Sequence, residues 1–154
     1  MSRSLLPRAA LFVVLLAGCG RKPFDATPEG VAREFIERME RVQGDPKDAR
    51  LVFDLLSRQA QTNLSDRAHR ASAASGKRMG PEQMIAPAHW FPRFQPRQWA
   101  TQTAGSRAVV EMTGLDPETE RAEMPCVLED ARWRIDLVLP ALPPIEHRPG
   151  SETR

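Results

Sequence analysis

Between residues 28 and 75 apolar side chains return every three or four positions, and from residue 97 onward they return every second position, so the chain predicts helices first and strands after. Thr27-Pro28-Glu29 has the form of a helix start: a hydroxyl for the cap, a proline whose missing N–H costs nothing there, and an acid in the first turn. Val31, Phe35, Ile36, Met39 and Val42 follow at helical spacing until Gly44 stops the run. Asp45-Pro46 repeats the device and opens a second helix with Ala49, Val52, Phe53 and Leu56 on one face, so two antiparallel helices are expected. Ser57 caps a third, polar and alanine-rich helix that runs to about Ser75, with Ala60, Leu64, Ala68 and Ala71 as a thin apolar stripe. Gly76, Gly80 and Pro81 break it, and 81–85 reads as one further helical turn. In 86–96 three prolines punctuate Trp90, Phe91 and Phe94, too much aromatic surface for a free linker, so this loop is expected to pack.

The strand half begins at 97–103, with Trp99, Thr101 and Thr103 on one side, and turns at Ala104-Gly105-Ser106. Ala108, Val110 and Met112 alternate with Val109, Glu111 and Thr113; a wider turn surrounds Asp116-Pro117; then Ala122, Met124, Cys126 and Leu128 alternate with Glu123, Pro125, Val127 and Glu129. Asp130-Ala131 turns the chain into Trp133, Ile135, Leu137 and Leu139, set against Arg134, Asp136 and Val138. The expectation is a four-stranded antiparallel meander with one apolar face, Pro125 marking a bulge or an edge position. Helices followed by a sheet that must bury its face against them define an α+β fold. The Pro-rich tail 140–154 is expected to be extended or disordered.

Upstream of the domain, Arg3 and Arg8 precede an apolar run over 9–17, the pattern of a secretory leader and shorter than the ~20 residues that span a bilayer. The run ends in Leu16-Ala17-Gly18-Cys19, small residues directly before a cysteine. This tetrapeptide resembles the lipobox of bacterial lipoproteins. The resemblance implies cleavage before Cys19, a thioether from Cys19 to diacylglycerol, and acylation of the new amino group with fatty chains such as palmitate. Each buried methylene contributes about 0.8 kcal/mol, so two or more chains hold a protein on a membrane stably. A plain signal peptide with a chance cysteine, or an uncleaved anchor, is the alternative. The organisation is then signal 1–18, lipidated terminus and tether 19–26, domain 27–139 and tail 140–154. The tether reaches only about 25 Å. Gly20 rather than aspartate follows the cysteine, which within that family favours the outer membrane, facing the periplasm.

The 154 residues less 18 leave 136, one domain. Without Arg3 and Arg8 the chain carries 20 basic and 20 acidic residues, so its basic precursor gives no reason to expect nucleic acid as a partner. Arg58, Arg67, Arg70, Lys77 and Arg78 cluster in 57–80, and seven acids in 108–130; two solvated faces that partly neutralise each other, or a basic face for lipid headgroups or an anionic polymer, both fit. With Cys19 lipidated, Cys126 has no partner in the chain and reads as a small buried hydrophobe, with intermolecular pairing or a reactive thiol as the alternative.

The element order, closed by Ala131-Arg132-Trp133-Arg134-Ile135-Asp136-Leu137, resembles the small bacterial lipoproteins of the nuclear transport factor 2-like (cystatin-like) cone fold. The resemblance implies a curved sheet wrapped around the N-terminal helices and a pocket whose use differs between members. Catalytic relatives use a carboxylate base and a tyrosine oxyanion hole, and this chain has no tyrosine. His69, His89 and His147 have no metal-ligand spacing, and no phosphate-binding glycine loop, Gly-x-Ser-x-Gly elbow or Cys-His grouping is present. No catalytic residue, metal or cofactor is therefore expected; His89 and Asp136 are the nearest to candidates, with Asp136 expected to face solvent. The candidate pocket is His89, Trp90, Phe94, Trp99 and Trp133, rings that line a cone mouth or simply close the core. Val109, Val127 and Val138 on the outer sheet face point to a homodimer or an envelope-protein contact there. The expectation is a binding or scaffolding module held to the membrane through Cys19, the alternative a cone-pocket enzyme or small-ligand carrier.

Overall fold

A computed structural model of the chain describes residues 23–42, 46–85, 90 and 92–144. The leader with Cys19, His89 and Phe91 of the aromatic loop, and the tail from 145 with His147 lie outside the described residues. The fold is α+β. A 3-10 turn, Phe24–Ala26, leads into α1 (Pro28–Arg41), α2 (Pro46–Leu55), α3 (Arg58–Ser75), a second 3-10 turn (Pro81–Met84), and strands β1 (Gln98–Ala104), β2 (Arg107–Thr113), β3 (Arg121–Glu129) and β4 (Arg132–Ile135). The strands form an open antiparallel sheet in the order β1-β2-β3-β4.

α1 and α3 start where their caps were expected, while Gly44 and Asp45, the expected stop of α1 and cap of α2, lie outside the described residues. Thr27 Oγ1 accepts from the Gly30 N–H at 3.0 Å, and Ser57 Oγ accepts from the Ala60 N–H at 3.2 Å. Along α1, Glu29–Arg33, Glu34–Arg38 and Glu37–Arg41 pair one turn apart with the acid N-terminal, the favourable orientation. α3 ends where Gly76 takes the left-handed conformation, φ 68°, and donates to the Ser72 carbonyl.

α1 lies across the sheet and buries Val31, Ala32, Phe35, Ile36 and Met39 in one core with Val110, Met112, Met124, Cys126, Trp133 and Ile135. α2 adds Val52, Phe53, Leu55 and Leu56, and α3 adds Ala60 and Leu64. Each large side chain so buried contributes ~1.5–3 kcal/mol. The turn Phe24–Ala26, expected within the tether, packs on α1 and β4, and its Phe24 carbonyl sits so close to Gly30 that a Cβ there would lie 2.2 Å from the oxygen.

The strand half departs from expectation in three places. β4 ends at Ile135 instead of reaching Leu139, and Pro125 explains this: the next pair would set Asp136 opposite it. The Asp136 N–H donates to the Pro125 carbonyl at 2.8 Å, but proline returns no N–H, and the ladder stops. Pro125 therefore makes no bulge, and β3 is central between β2 and β4. On the apolar face, Leu128 is 38 % exposed, and of Trp99, Thr101 and Thr103 only Trp99 is partly covered: α1 reaches β1 through its N-terminal turns, where Arg33 lies over Trp99 and the helix start stands beside a still exposed Thr101.

Candidate functional site

α3 presents Leu64 and Arg67 one turn apart on the side facing the chain that leaves β4. Arg67 is aimed by its own helix: Nε donates to Asn63 Oδ1 at 2.7 Å, and Nη2 then reaches the Pro140 carbonyl at 2.6 Å. Arg70 donates to the Pro143 carbonyl one helical turn on. Residues 140–143 are thus strapped to α3, and the strap leaves a cleft of about 440 Å³ lined by Leu64, Arg67, Met84, Trp90, Val138 and Leu139, closed at one end by Pro140. Its walls are mainly apolar, with one guanidinium at the rim, the composition that suits an apolar ligand.

Of the candidate pocket residues, only Trp90 lines this cleft. Trp133 is buried in the core opposite Leu128, and Phe94 packs against the core from the loop. Trp99 stands on β1, its ring covered by the Arg33 guanidinium at 4.3 Å, which Glu29 holds at 2.8 Å.

A second cleft, about 410 Å³, lies between the α1–α2 layer and β4 and includes Asp25, Arg38, Asp54, Arg132 and Arg134. Its charges are already engaged: Arg38 with Glu34, Arg132 with Asp25 at 3.7 Å, and Arg134 with the Asp54 carbonyl.

Asp136, expected in solvent, is half-buried and accepts from the Ser57 hydroxyl at 2.8 Å, while the Ser57 N–H donates to the Ile135 carbonyl at 2.8 Å. It serves the α3 cap. Ser57 was readable as that cap; its partner, 79 residues away, left no local signal. Cys126 is buried as expected, and burial first, then the Asp136 charge, pushes its thiol up to about 12, so it is no nucleophile at neutral pH. His69 is exposed on α3. Among the described residues no three His, Cys, Asp or Glu side chains are grouped to hold a metal.

The basic and acidic segments meet in part. Arg58 pairs with Asp130, and its backbone N–H donates to both Glu129 carboxylate oxygens at 3.2 Å, at the α3 N-terminus where negative charge is favoured. Arg67 and Arg70 hold the strap, while Lys77 and Arg78 are exposed beyond the helix end. The three valines do not form one surface. Val138 lies beyond the end of β4, 90 % exposed at the cleft, so only Val109 and Val127 remain on the outer face, with Pro125 between them.

No family model, characterised protein or solved structure matches the chain.

Proposed function

We propose that this chain is a lipoprotein of a bacterial cell envelope, anchored through acyl chains on Cys19 and facing the periplasm from the outer membrane. Its α+β domain, of the nuclear transport factor 2-like cone type, acts as a non-catalytic binding or scaffolding module. The observation that carries the reading is Leu16-Ala17-Gly18-Cys19 at the end of a short apolar run behind Arg3 and Arg8. The packing of the turn Phe24–Ala26 on α1 and β4 is consistent with it, because an anchor at Cys19 would then hold the domain close to the membrane surface. Gly20 after the cysteine supports the outer membrane.

Fractionation of cells expressing the wild-type chain and Cys19→Ser, with mass spectrometry of the mature amino terminus, tests this. The expected result is an acylated Cys19 in outer-membrane fractions that the substitution abolishes. A protein cut elsewhere and recovered in soluble fractions refutes it.

A second reading, carriage of a small apolar ligand, is favoured by the cleft at Trp90. Trp90→Ala is then expected to abolish binding of anilinonaphthalene sulfonate to the folded protein; equal binding by variant and wild type removes the cleft from consideration.

A further inference from the structure

The two edges of the sheet are treated differently. The free side of β4 is closed by the chain itself: Leu56 bridges to Ile135 in parallel, and the Ser57 N–H donates to the Ile135 carbonyl at 2.8 Å. That strand is also only four residues long and carries Arg132 and Arg134. β1 has none of these protections. Gln98–Ala104 is seven residues with no charged side chain and no proline, and every residue except Trp99 is exposed. Its register with β2 runs one-to-one from Gln98↔Thr113 to Ala104↔Arg107, which leaves no bulge. An edge of this kind presents unpaired N–H and C=O groups to another strand, and charge, proline, bulges or shortness are the usual means of preventing that pairing.

We propose that β1 is a dimerisation edge: the β1 strand of a second copy adds to it antiparallel about Thr101 and joins two four-stranded sheets into one of eight strands. The groups left open are alternate backbone donors and acceptors, so the complement must itself be an extended strand. A second β1 fits. Centred on Thr101, the pairing sets Thr101 against its own copy, Trp99 against Thr103, Ala100 against Gln102 and Gln98 against Ala104, so no charged side chain faces another. Trp99, Thr101 and Thr103 share the face that the start of α1 touches through Arg33 over Trp99, with Thr101 and Thr103 left exposed, and each indole gains a β-branched cross-strand neighbour, a favourable pair. The assembly stops at two copies because the β4 edge is already closed. The two-fold axis stands perpendicular to the sheet, which keeps both α1 helices on one side of it. Two anchors at Cys19 then reach one membrane; that point rests on the anchoring proposed above, and the strand pairing does not.

In the full chain, Thr101→Cys places two thiols at the two-fold, with Cα atoms about 4.5–5.5 Å apart, within disulfide reach. Mild oxidation is expected to give a covalent dimer on a non-reducing gel. Ala100→Cys and Gln102→Cys chains crosslink when mixed and Ala100→Cys alone does not, while Glu118→Cys in the exposed β2–β3 turn gives no dimer. Thr101→Lys opposes two ammonium groups and is expected to shift the sedimenting mass from dimer to monomer with far-UV circular dichroism unchanged, while the melting temperature loses the dependence on protein concentration that the wild-type dimer shows. A monomeric wild-type chain, crosslinking at Thr101 no better than at Glu118, or crosslinking at Thr101 only to a different protein overturns the proposal. The same measurements on a Cys19→Ser chain separate the two readings: a dimer without the lipid sustains the edge pairing alone, and an acylated monomer sinks the pairing and leaves the anchor standing.

Discussion

Raising the pH from about 8 to about 11 is expected to destabilise this protein through one thiol. Cys126 sits under the first turn of α1, with Sγ 3.9 Å from the Pro28 carbonyl and 3.7 Å from the Met124 carbonyl, and is 2 % exposed. Burial, and after it the charge of Asp136, raises its pKa from 9.0 to about 12. The folded thiol therefore keeps its proton where an unfolded one has lost it. Between the two values the native state binds more protons than the unfolded state, so the unfolding free energy falls as pH rises, by ~1.4 kcal/mol per pH unit. The loss is negligible near pH 8 and reaches on the order of 2–3 kcal/mol at pH 11, a large share of a stability of ~5–15 kcal/mol. The chain has no tyrosine to titrate over the same range, and Lys22, Lys47 and Lys77 are common to wild type and variant. The assay is chemical denaturation at several pH values under reducing conditions, for Cys19→Ser and for Cys19→Ser with Cys126→Ala. Removing the sulfur opens a small cavity and costs about 1 kcal/mol at neutral pH, but the variant's stability then declines less steeply, and the two curves converge and cross between pH 9 and 11. Parallel curves, or rapid labelling of Cys126 by a thiol reagent in the folded protein at pH 8, would show that the thiol is not held protonated by its surroundings.

Gly30→Ala exchanges a poor helix former for the best one, yet its Cβ would meet the Phe24 carbonyl at 2.2 Å; a net loss of ~1–3 kcal/mol in denaturant unfolding is expected. Ser57→Ala removes the α3 cap and leaves Asp136 without its hydroxyl partner, and is expected to cost ~1–2 kcal/mol; a double-mutant cycle with Asp136→Ala should give a coupling energy of ~0.5 kcal/mol or more. Ala131 occupies the second central position of a two-residue turn with φ 61°, next to Asp130 at 49°, a backbone that favours glycine there. Ala131→Gly is expected to raise the melting temperature, because about 1–2 kcal/mol of strain relieved outweighs the ~0.4–1 kcal/mol of added unfolded-state entropy.

Most elements could be read from the sequence because their signals are local. Thr27-Pro28, Pro46 and Ser57 mark the starts of α1, α2 and α3, and alternation marks the buried faces of β2 and β3 through Val110, Met112, Met124 and Cys126. The faces of the outer strands were not readable in the same way. Thr101 and Thr103 alternate correctly with Gln102, but whether a helix lies over them depends on where α1 crosses the sheet, which no residue of β1 encodes. The surroundings of the candidate pocket rings were hidden for a related reason. Aromatic content showed that Trp90, Phe94, Trp99 and Trp133 would pack, but not that Arg33 would cover Trp99 or that Trp133 would face the core. The Trp90 cleft depends on Arg67 and Arg70 capturing carbonyls of the tail, contacts 73 residues apart in sequence.

The end of β4 shows how one local constraint organises distant parts of this domain. Pro125 cannot donate to the residue opposite, so β4 stops and the chain beyond Asp136 leaves the sheet. Because it leaves, Asp136 is placed to take the Ser57 hydroxyl and fix the start of α3, and residues 138–140 are placed to form one wall of the cleft. The same short strand lets Leu56 and Ser57 close one edge of the sheet, while uninterrupted pairing with β2 carries β1 through seven residues and, among the described residues, no strand pairs with its other side. A substitution that restores a donor at residue 125, such as Pro125→Val, is therefore expected to act beyond β3. With the N–H returned, the ladder can extend past Asp136 and draw 138–140 away from Arg67, which weakens the Ser57–Asp136 bond and opens the cleft. Hydrogen exchange at residues 136–140 reads this directly: slowed exchange in the variant follows if the missing donor ends the strand, and unchanged exchange would mean that the α2–α3 junction ends it instead.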